Sequence, residues 1–314
     1  MALLTKLQKL KDEVSKVLIG RETEIDFLII SLLQGGHVLL ESVPGTGKTL
    51  LGKTFAKSIN GEFKRIQFTP DVLPSDVTGI QYFNPKTKDF ELRPGPVMTN
   101  ILLADEINRA TPRTQSSLLE VMEEKQVTID GETMKMTEPF MVIATQNPVD
   151  TQQGTFPLPA AQLDRFFMKL AVQYPSYEEE LQMVRRFRET DPYTNVEAII
   201  SSDEISSLRA QVKKTKVDED IEKYILAIIR QTREHAEIEL GASPRAALAL
   251  IRASQGAAFL KGRDYVIPDD VMTVAQAVLA HRLQLSIEAS LTKTIDEIFM
   301  EILQTVPVPV EAEA

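Results

Sequence analysis

Short β-like runs recur through the first half of the chain, at Val38–Leu40, Phe63–Phe68, Ile101–Ala104, Phe140–Thr145 and Phe167–Val172. Between them lie helix-compatible stretches such as Leu50–Asn60 and Pro112–Glu124. Strands buried on both faces read as near-continuous apolar runs, so this alternation predicts a mostly parallel sheet covered by helices. After Tyr174-Pro175-Ser176 the pattern becomes helical only. Ser176 with Glu179 has the form of a capping box, Ser202-Asp203 and Pro268-Asp269 mark further helix starts, and apolar residues recur three and four apart through Ile221–Ile229 and Val271–Leu285. The predicted fold class is α/β: a three-layer αβα core over residues 1–190 and an all-helical domain over 191–314. The tail, 306–314, alternates valine and proline before its last acidic residues and is expected to be extended or disordered.

Two segments interrupt the rhythm of the core. Gln126–Met134 alternates around Asp130-Gly131, a strong short-range signal for a β-hairpin, which extends the insertion to about 126–136. The other, Gly79–Pro96, carries Asn84-Pro85-Lys86-Thr87-Lys88-Asp89 as its turn. No internal repeat is visible.

Composition removes several classes of chemistry. The chain has 314 residues, 43% of them hydrophobic, and no cysteine, so disulfides, thiolate metal sites and thiol nucleophiles are excluded. His37, His235 and His281 have no ligand spacing and read as structural. No apolar stretch reaches the roughly 18 residues of a membrane span, and Met1–Lys16 alternates lysine and leucine without the apolar centre of a signal peptide, so the expected location is cytoplasmic. A formal charge of −10 disfavours non-specific attraction to nucleic-acid phosphates.

The most informative motif is Ser42-Val43-Pro44-Gly45-Thr46-Gly47-Lys48-Thr49, set between an apolar strand and a helix that includes Leu50. Backbone N–H groups of such a loop converge on anionic oxygens at a helix N-terminus, Lys48 reaches the β- and γ-phosphates, and the Thr49 hydroxyl can ligate Mg²⁺. A nucleoside triphosphate is the expected ligand. Ser42 stands where the pattern has its first glycine; serine is strained there if φ is positive and costs little if φ is negative, which is the expected case.

Downstream, Ile101-Leu102-Leu103-Ala104 ends in Asp105-Glu106. Such acids are often solvated turn residues, but after a phosphate loop they suit a hydrolase in which Asp105 holds Mg²⁺ through water and Glu106 polarises the attacking water. Asn147 ends another apolar strand; it either orients the lytic water or touches the γ-phosphate, or it is a turn asparagine before Pro148. Arg165, in Leu163-Asp164-Arg165-Phe166, is either a surface ion-pair partner or an arginine finger for a neighbouring subunit's γ-phosphate. Ser243-Pro244 makes a helix start that puts Arg245 in the first turn, where a cation opposes the helix dipole. That position favours an anionic partner, the phosphates of a bound nucleotide, over a merely exposed arginine.

Together these residues resemble an AAA+ P-loop ATPase, and among those the MoxR family. The resemblance rests on Val43–Thr49, Phe68-Thr69-Pro70-Asp71 with Pro74-Ser75-Asp76, Arg93-Pro94-Gly95-Pro96, Ile101–Glu124, Thr145-Gln146-Asn147-Pro148, Phe156-Pro157-Leu158-Pro159, Gln162–Phe166 and Gly241–Ala246, and covers the chain from Ile19 to about His281. It implies ATP and Mg²⁺ as cofactors, with Ile19-Gly20-Arg21 near the adenine, Lys48 and Thr49 on nucleotide and metal, Asp105 and Glu106 as catalytic acids, and Asn147 as first sensor. Arg165 would be the finger acting across subunits, and Arg245 the second sensor on the helical lid. It also implies a ring, usually a hexamer, hairpins directed to the pore or ring face, and chaperone-like remodelling or maturation of client proteins or their cofactors, often beside proteins with a von Willebrand factor A domain. Ala160 departs from the family, which more often has glutamate there.

A nucleic-acid motor is the rival from the same superfamily. Its hairpins grip phosphate backbones, whereas the tip here is Asp130-Gly131-Glu132, and the other insertion sets Lys86 and Lys88 against Asp89. A transcription activator would need a Gly-Ala-Phe-Thr-Gly-Ala loop, and a GTPase an Asn/Thr-Lys-x-Asp motif; neither occurs. An inactive scaffold would not require Asp105, Glu106 and Arg165.

Overall fold

In the computed structural model, residues 2–43, 45–147, 154–189 and 191–309 are described. The elements in chain order are α1 (Ala2–Ser15), α2 (Glu22–Gln34), β1 (Val38–Ser42), α3 (Lys48–Ser58), β2 (Phe63–Gln67), α4 (Pro74–Thr78), β3 (Gly79–Asn84), β4 (Asp89–Pro94), β5 (Ile101–Asp105), α5 (Pro112–Glu124), β6 (Gln126–Ile129), β7 (Glu132–Lys135), β8 (Met141–Gln146), α6 (Ala160–Leu163) and β9 (Met168–Val172). There follow α7 (Tyr177–Glu189), α8 (Ser202–Val212), α9 (Glu219–Glu234), β10 (Ile238–Leu240), α10 (Pro244–Leu260), α11 (Pro268–Leu279), β11 (Gln284–Leu285), α12 (Ile287–Ser290) and α13 (Ile295–Thr305).

The apolar runs become one five-stranded sheet in the order β2-β5-β8-β1-β9, and every pairing is parallel. Successive residues of its strands enter different cores. Val38, Leu40, Ile101, Leu103, Met141 and Ile143 join one, while Leu39, Leu102, Ala104, Val142 and Ala144 join the other. That division is why these strands carry no polar alternation. In a parallel sheet all carboxyl ends share one edge, so Ser42, Gln67, Asp105 and Gln146 come to the rim where ligands of open α/β sheets bind.

Both insertions form hairpins, β3 with β4 and β6 with β7. The second turns through Asp130 at φ 48° and Gly131 at φ 91°, the paired positive angles of a tight hairpin turn. The capping box at Ser176 forms, with Glu179 accepting from the Ser176 amide at 2.7 Å.

The region after Tyr174 is not purely helical. Ile238–Leu240 and Gln284–Leu285 pair as antiparallel β10 and β11, strands too short to leave a periodic signal. The helix expected through Val271–Leu285 ends at Leu279. Beyond it the Arg282 guanidinium turns back on the Val278 carbonyl and pairs with Asp164 at 2.6 Å, which ties the helix end to the sheet-bearing core. Val306 is buried and Val306–Pro309 belong to no helix or strand; the rest of the expected tail, 310–314, lies outside the described residues.

His37 closes the opposite, amino-terminal edge of the sheet. Its Nδ1 accepts the Val142 amide at 2.9 Å and its Nε2 faces the Met122 carbonyl at 3.0 Å, so the neutral ring serves as acceptor and donor at once. Burial is the main cause that pushes its pKa down to about 4. Because the folded pKa lies below the unfolded one, His37 contributes stability above about pH 6.5 that is lost as pH falls toward 4, by about 3 kcal/mol in all. Urea unfolding from pH 7.5 to 4.5 should show this slope, and it should be shallower in His37→Gln. An equal slope in the variant would show that the acid sensitivity arises elsewhere.

Candidate active site

The phosphate loop leaves β1 at the carboxyl edge and enters α3. Gly45 and Gly47 stand at φ +85° and +82°, the left-handed region that disfavours side chains, and a Cβ on either would meet nothing within 4 Å. Thr46 Oγ1 donates to the Val43 carbonyl at 3.1 Å and closes the turn. Pro44 lies outside the described residues. Ser42 pairs with Val172 as the last residue of β1 and is not among the positive-φ positions, so the serine is not strained. Its cost lies elsewhere: the hydroxyl is buried without a hydrogen-bond partner among the described residues.

Lys48 opens α3, with Thr49 next and Leu50 packed against the core. The Lys48 ammonium lies 4.0 Å from Asp105 Oδ1. Asp105 is buried and has a donor on each oxygen: Thr145 Oγ1 reaches Oδ1 at 2.6 Å, and the Arg65 guanidinium reaches Oδ2 at 2.6 Å. Glu106 has φ 58° and ψ 49°, a left-handed conformation that costs a residue with a side chain roughly 1–2 kcal/mol. Such strain concentrates at functional sites, where the surroundings enforce it. Here Gln67 Nε2 donates to Glu106 Oε2 at 2.8 Å, Arg109 Nε lies 3.2 Å from the same oxygen, and the Glu106 amide donates to Thr145 Oγ1 at 2.9 Å. Asn147 follows β8 at the same rim and is nearly buried; Pro148 beside it is outside the described residues.

Ile19-Gly20-Arg21 reaches this edge as well. Arg21 Nη2 donates to the Gln173 carbonyl, just past the end of β9, at 2.6 Å. Gly20, at φ +69°, lies against the Glu179 carboxylate at the start of α7.

Arg165 and Arg245 stand at the other edge. One carboxylate holds both: Glu123 Oε2 lies 2.9 Å from Arg165 and Oε1 lies 3.3 Å from Arg245. Arg165 also donates to the Leu119 carbonyl at 3.0 Å. They line a cleft of about 310 Å³ with Gly35, Gly36 and His37, which precede β1, whereas the phosphate loop follows it. A five-residue strand separates its two ends by roughly 16 Å.

The cause is the docking of α10. Its Ser243 cap forms as the sequence indicates, accepting the Ala246 amide at 3.2 Å. The helix then runs antiparallel to α2, with Gly256 against Ile30 and the Arg252 carbonyl accepting from Gln34 Nε2 at 2.6 Å. Its first turn therefore projects past the end of α2 to the amino edge. Arg245 is not brought to its own chain's phosphate loop.

Arg65 and Gln67 belong to no motif, and Thr145, Arg109 and Glu123 lie within motif segments that give them no role of their own. Register supplies two of them: Gln67 lies opposite Asp105, and Ala104 lies opposite Ala144, so Thr145 comes level with Asp105. A polar residue near the end of an otherwise apolar strand is the signal that could have marked Thr145; β2, with Lys64 and Arg65, offers no such signal for Gln67.

Residues 37–168 match the family described as ATPases associated with various cellular activities, and residues 230–302 match the AAA lid domain. An uncharacterized Bacillus subtilis protein, YeaC, is 48% identical over 98% of this chain and 96% of its own length. Chaperone MoxR1 of Mycobacterium tuberculosis is 42% identical over 95% of this chain and 81% of its own. The chain belongs to the MoxR family of AAA+ ATPases. A candidate ATPase from Cytophaga hutchinsonii has the same fold in its crystal structure, with a TM-score of 0.92 and 41% identity over 98% of this chain and 96% of that one. For this MoxR-family ATPase no helix among the described residues is long and apolar enough to cross a membrane.

Proposed function

We propose that this MoxR-family chain is a Mg²⁺-dependent ATPase that works as a ring, taken as a hexamer, and remodels or matures client proteins or their cofactors in the cytoplasm. The observation that supports the ring is the separation of its cations: Arg165 and Arg245 lie a strand's length from their own phosphate loop, which in this reading assigns them to another subunit's nucleotide. The open glycine turn and the ammonium of Lys48 beside Asp105 fit a triphosphate and its metal. In this reading Lys48 and the loop amides bind the phosphates, Thr49 and Asp105 hold Mg²⁺, and Ile19 and Gly20 border the base. Bound Mg²⁺ would neutralise charge on the phosphate oxygens. Glu106 takes the proton of the attacking water, Asn147 orients that water, and the neighbour's Arg165 and Arg245 stabilise charge as it develops. A client, rather than nucleic acid, is supported by the name of the M. tuberculosis relative and by the acidic tip of the β6–β7 hairpin. A partner with a von Willebrand factor A domain is the kind the family resemblance implies.

The test is purified protein with Mg²⁺ and ATP, assayed with and without single- and double-stranded DNA at physiological salt. ATP hydrolysis should be present and indifferent to DNA, while a heat-denatured enzyme offered as client should change its rate. Salt-sensitive DNA binding that accelerates hydrolysis would replace this reading with the motor.

A further inference from the structure

A single hydroxyl joins the two acids of the site. Thr145 is fully buried in β8, where its Oγ1 donates to Asp105 Oδ1 at 2.6 Å and accepts the Glu106 amide at 2.9 Å. A hydroxyl is the smallest side-chain group that can donate and accept at once, and both capacities are used here. The other contacts grip the outer ends of these residues: Arg65 takes the second oxygen of Asp105, while Gln67 and Arg109 take the carboxylate of Glu106. Arg109 also reaches the backbone, its amide donating to the Glu106 carbonyl at 2.9 Å, but the Glu106 amide itself is held by the Thr145 hydroxyl.

We propose that Thr145 is a positioning residue for hydrolysis, whose hydroxyl fixes the Asp105 carboxylate and the Glu106 backbone in one arrangement. This rests on Glu106 being the base. Without the hydroxyl, the Glu106 amide loses its buried acceptor and Asp105 loses a buried donor, so both acids gain freedom to move. Thr145 needs no contact with nucleotide for this role. Its loss should lower turnover far more than nucleotide affinity.

The test compares Thr145→Val, Thr145→Ser and Thr145→Ala. Valine keeps the volume and removes the hydroxyl; serine keeps the hydroxyl and removes the methyl. The expected kcat falls about 10- to 100-fold in Thr145→Val, the range seen when a supporting hydrogen bond behind an active group is removed, and stays within about threefold in Thr145→Ser. The Kd for a fluorescent ATP analogue should change less than about twofold in either. In nucleotide-free protein, amide hydrogen exchange over residues 105–109 should speed up in Thr145→Val and not in Thr145→Ser. A role in packing alone would instead spare valine, which keeps the volume, and harm serine, which leaves a methyl-sized void. If Thr145→Val fails to fold, serine against alanine isolates the hydroxyl, and equal turnover in those two overturns the proposal. Full turnover in folded Thr145→Val, beside an inactive Glu106→Gln, also overturns it; turnover in Glu106→Gln itself would instead remove the reading on which it rests.

Discussion

Glu106→Gln should reduce ATP hydrolysis by about 10² to 10⁴, the usual contribution of a positioned general base, and leave nucleotide binding nearly intact. The substitution is close to isosteric. It leaves the Thr145 hydroxyl on the backbone amide and on Asp105, and it leaves Lys48 beside that carboxylate. What is lost is the proton acceptor and the charge that pairs with Arg109. Lys48→Ala supplies the contrast, because it removes the ammonium proposed to engage the phosphates and should lose binding itself. Phosphate release measured beside titration with a fluorescent nucleotide separates the two. Near-normal turnover in Glu106→Gln would remove Glu106 from the role of base.

The second large effect is expected from the cations at the other edge of the sheet. Arg165→Ala should lower turnover by about 10³ or more, as loss of an arginine finger does, with little change in nucleotide affinity. Arg245→Ala should resemble it, because the shared Glu123 sets the two side chains side by side. Exposed ion pairs of this sort contribute only about 0–1 kcal/mol each, so Glu123 orders the arginines without holding them against a neighbour's phosphate. Rates from steady-state assays at protein concentrations spanning assembly would reveal the difference. A finger variant that loses nucleotide affinity in step with its turnover would point to a role within its own subunit.

Much of this was legible in the chain itself, for identifiable reasons. The central strands announced themselves because both faces are buried and leave no polar alternation. The β6–β7 turn was legible because Asp130-Gly131 satisfies two positive φ angles, and α10 began where Ser243 and Pro244 indicate. Strand neighbours were not legible, since order in a sheet is fixed by long-range packing. For that reason Arg65 and Gln67 became visible, and Thr145 of the Thr145-Gln146-Asn147-Pro148 motif acquired a role, only once β8 and β2 were seen to flank β5. The address of Arg245 was hidden for a related reason. A helix cap tells where a helix starts, whereas the contact of Gly256 with Ile30 decides where that start lies in space.

The most direct measurement mixes the two kinds of damaged subunit. Lys48→Ala lacks the ammonium proposed to bind phosphate and keeps Arg165; Arg165→Ala keeps that ammonium and lacks the proposed finger. If each site is completed by its neighbour, an equimolar mixture regains activity that neither protein has alone, in about one quarter of sites for random assembly in a closed ring. No recovery, in samples where native mass spectrometry demonstrates mixed rings, would contradict a site shared between subunits.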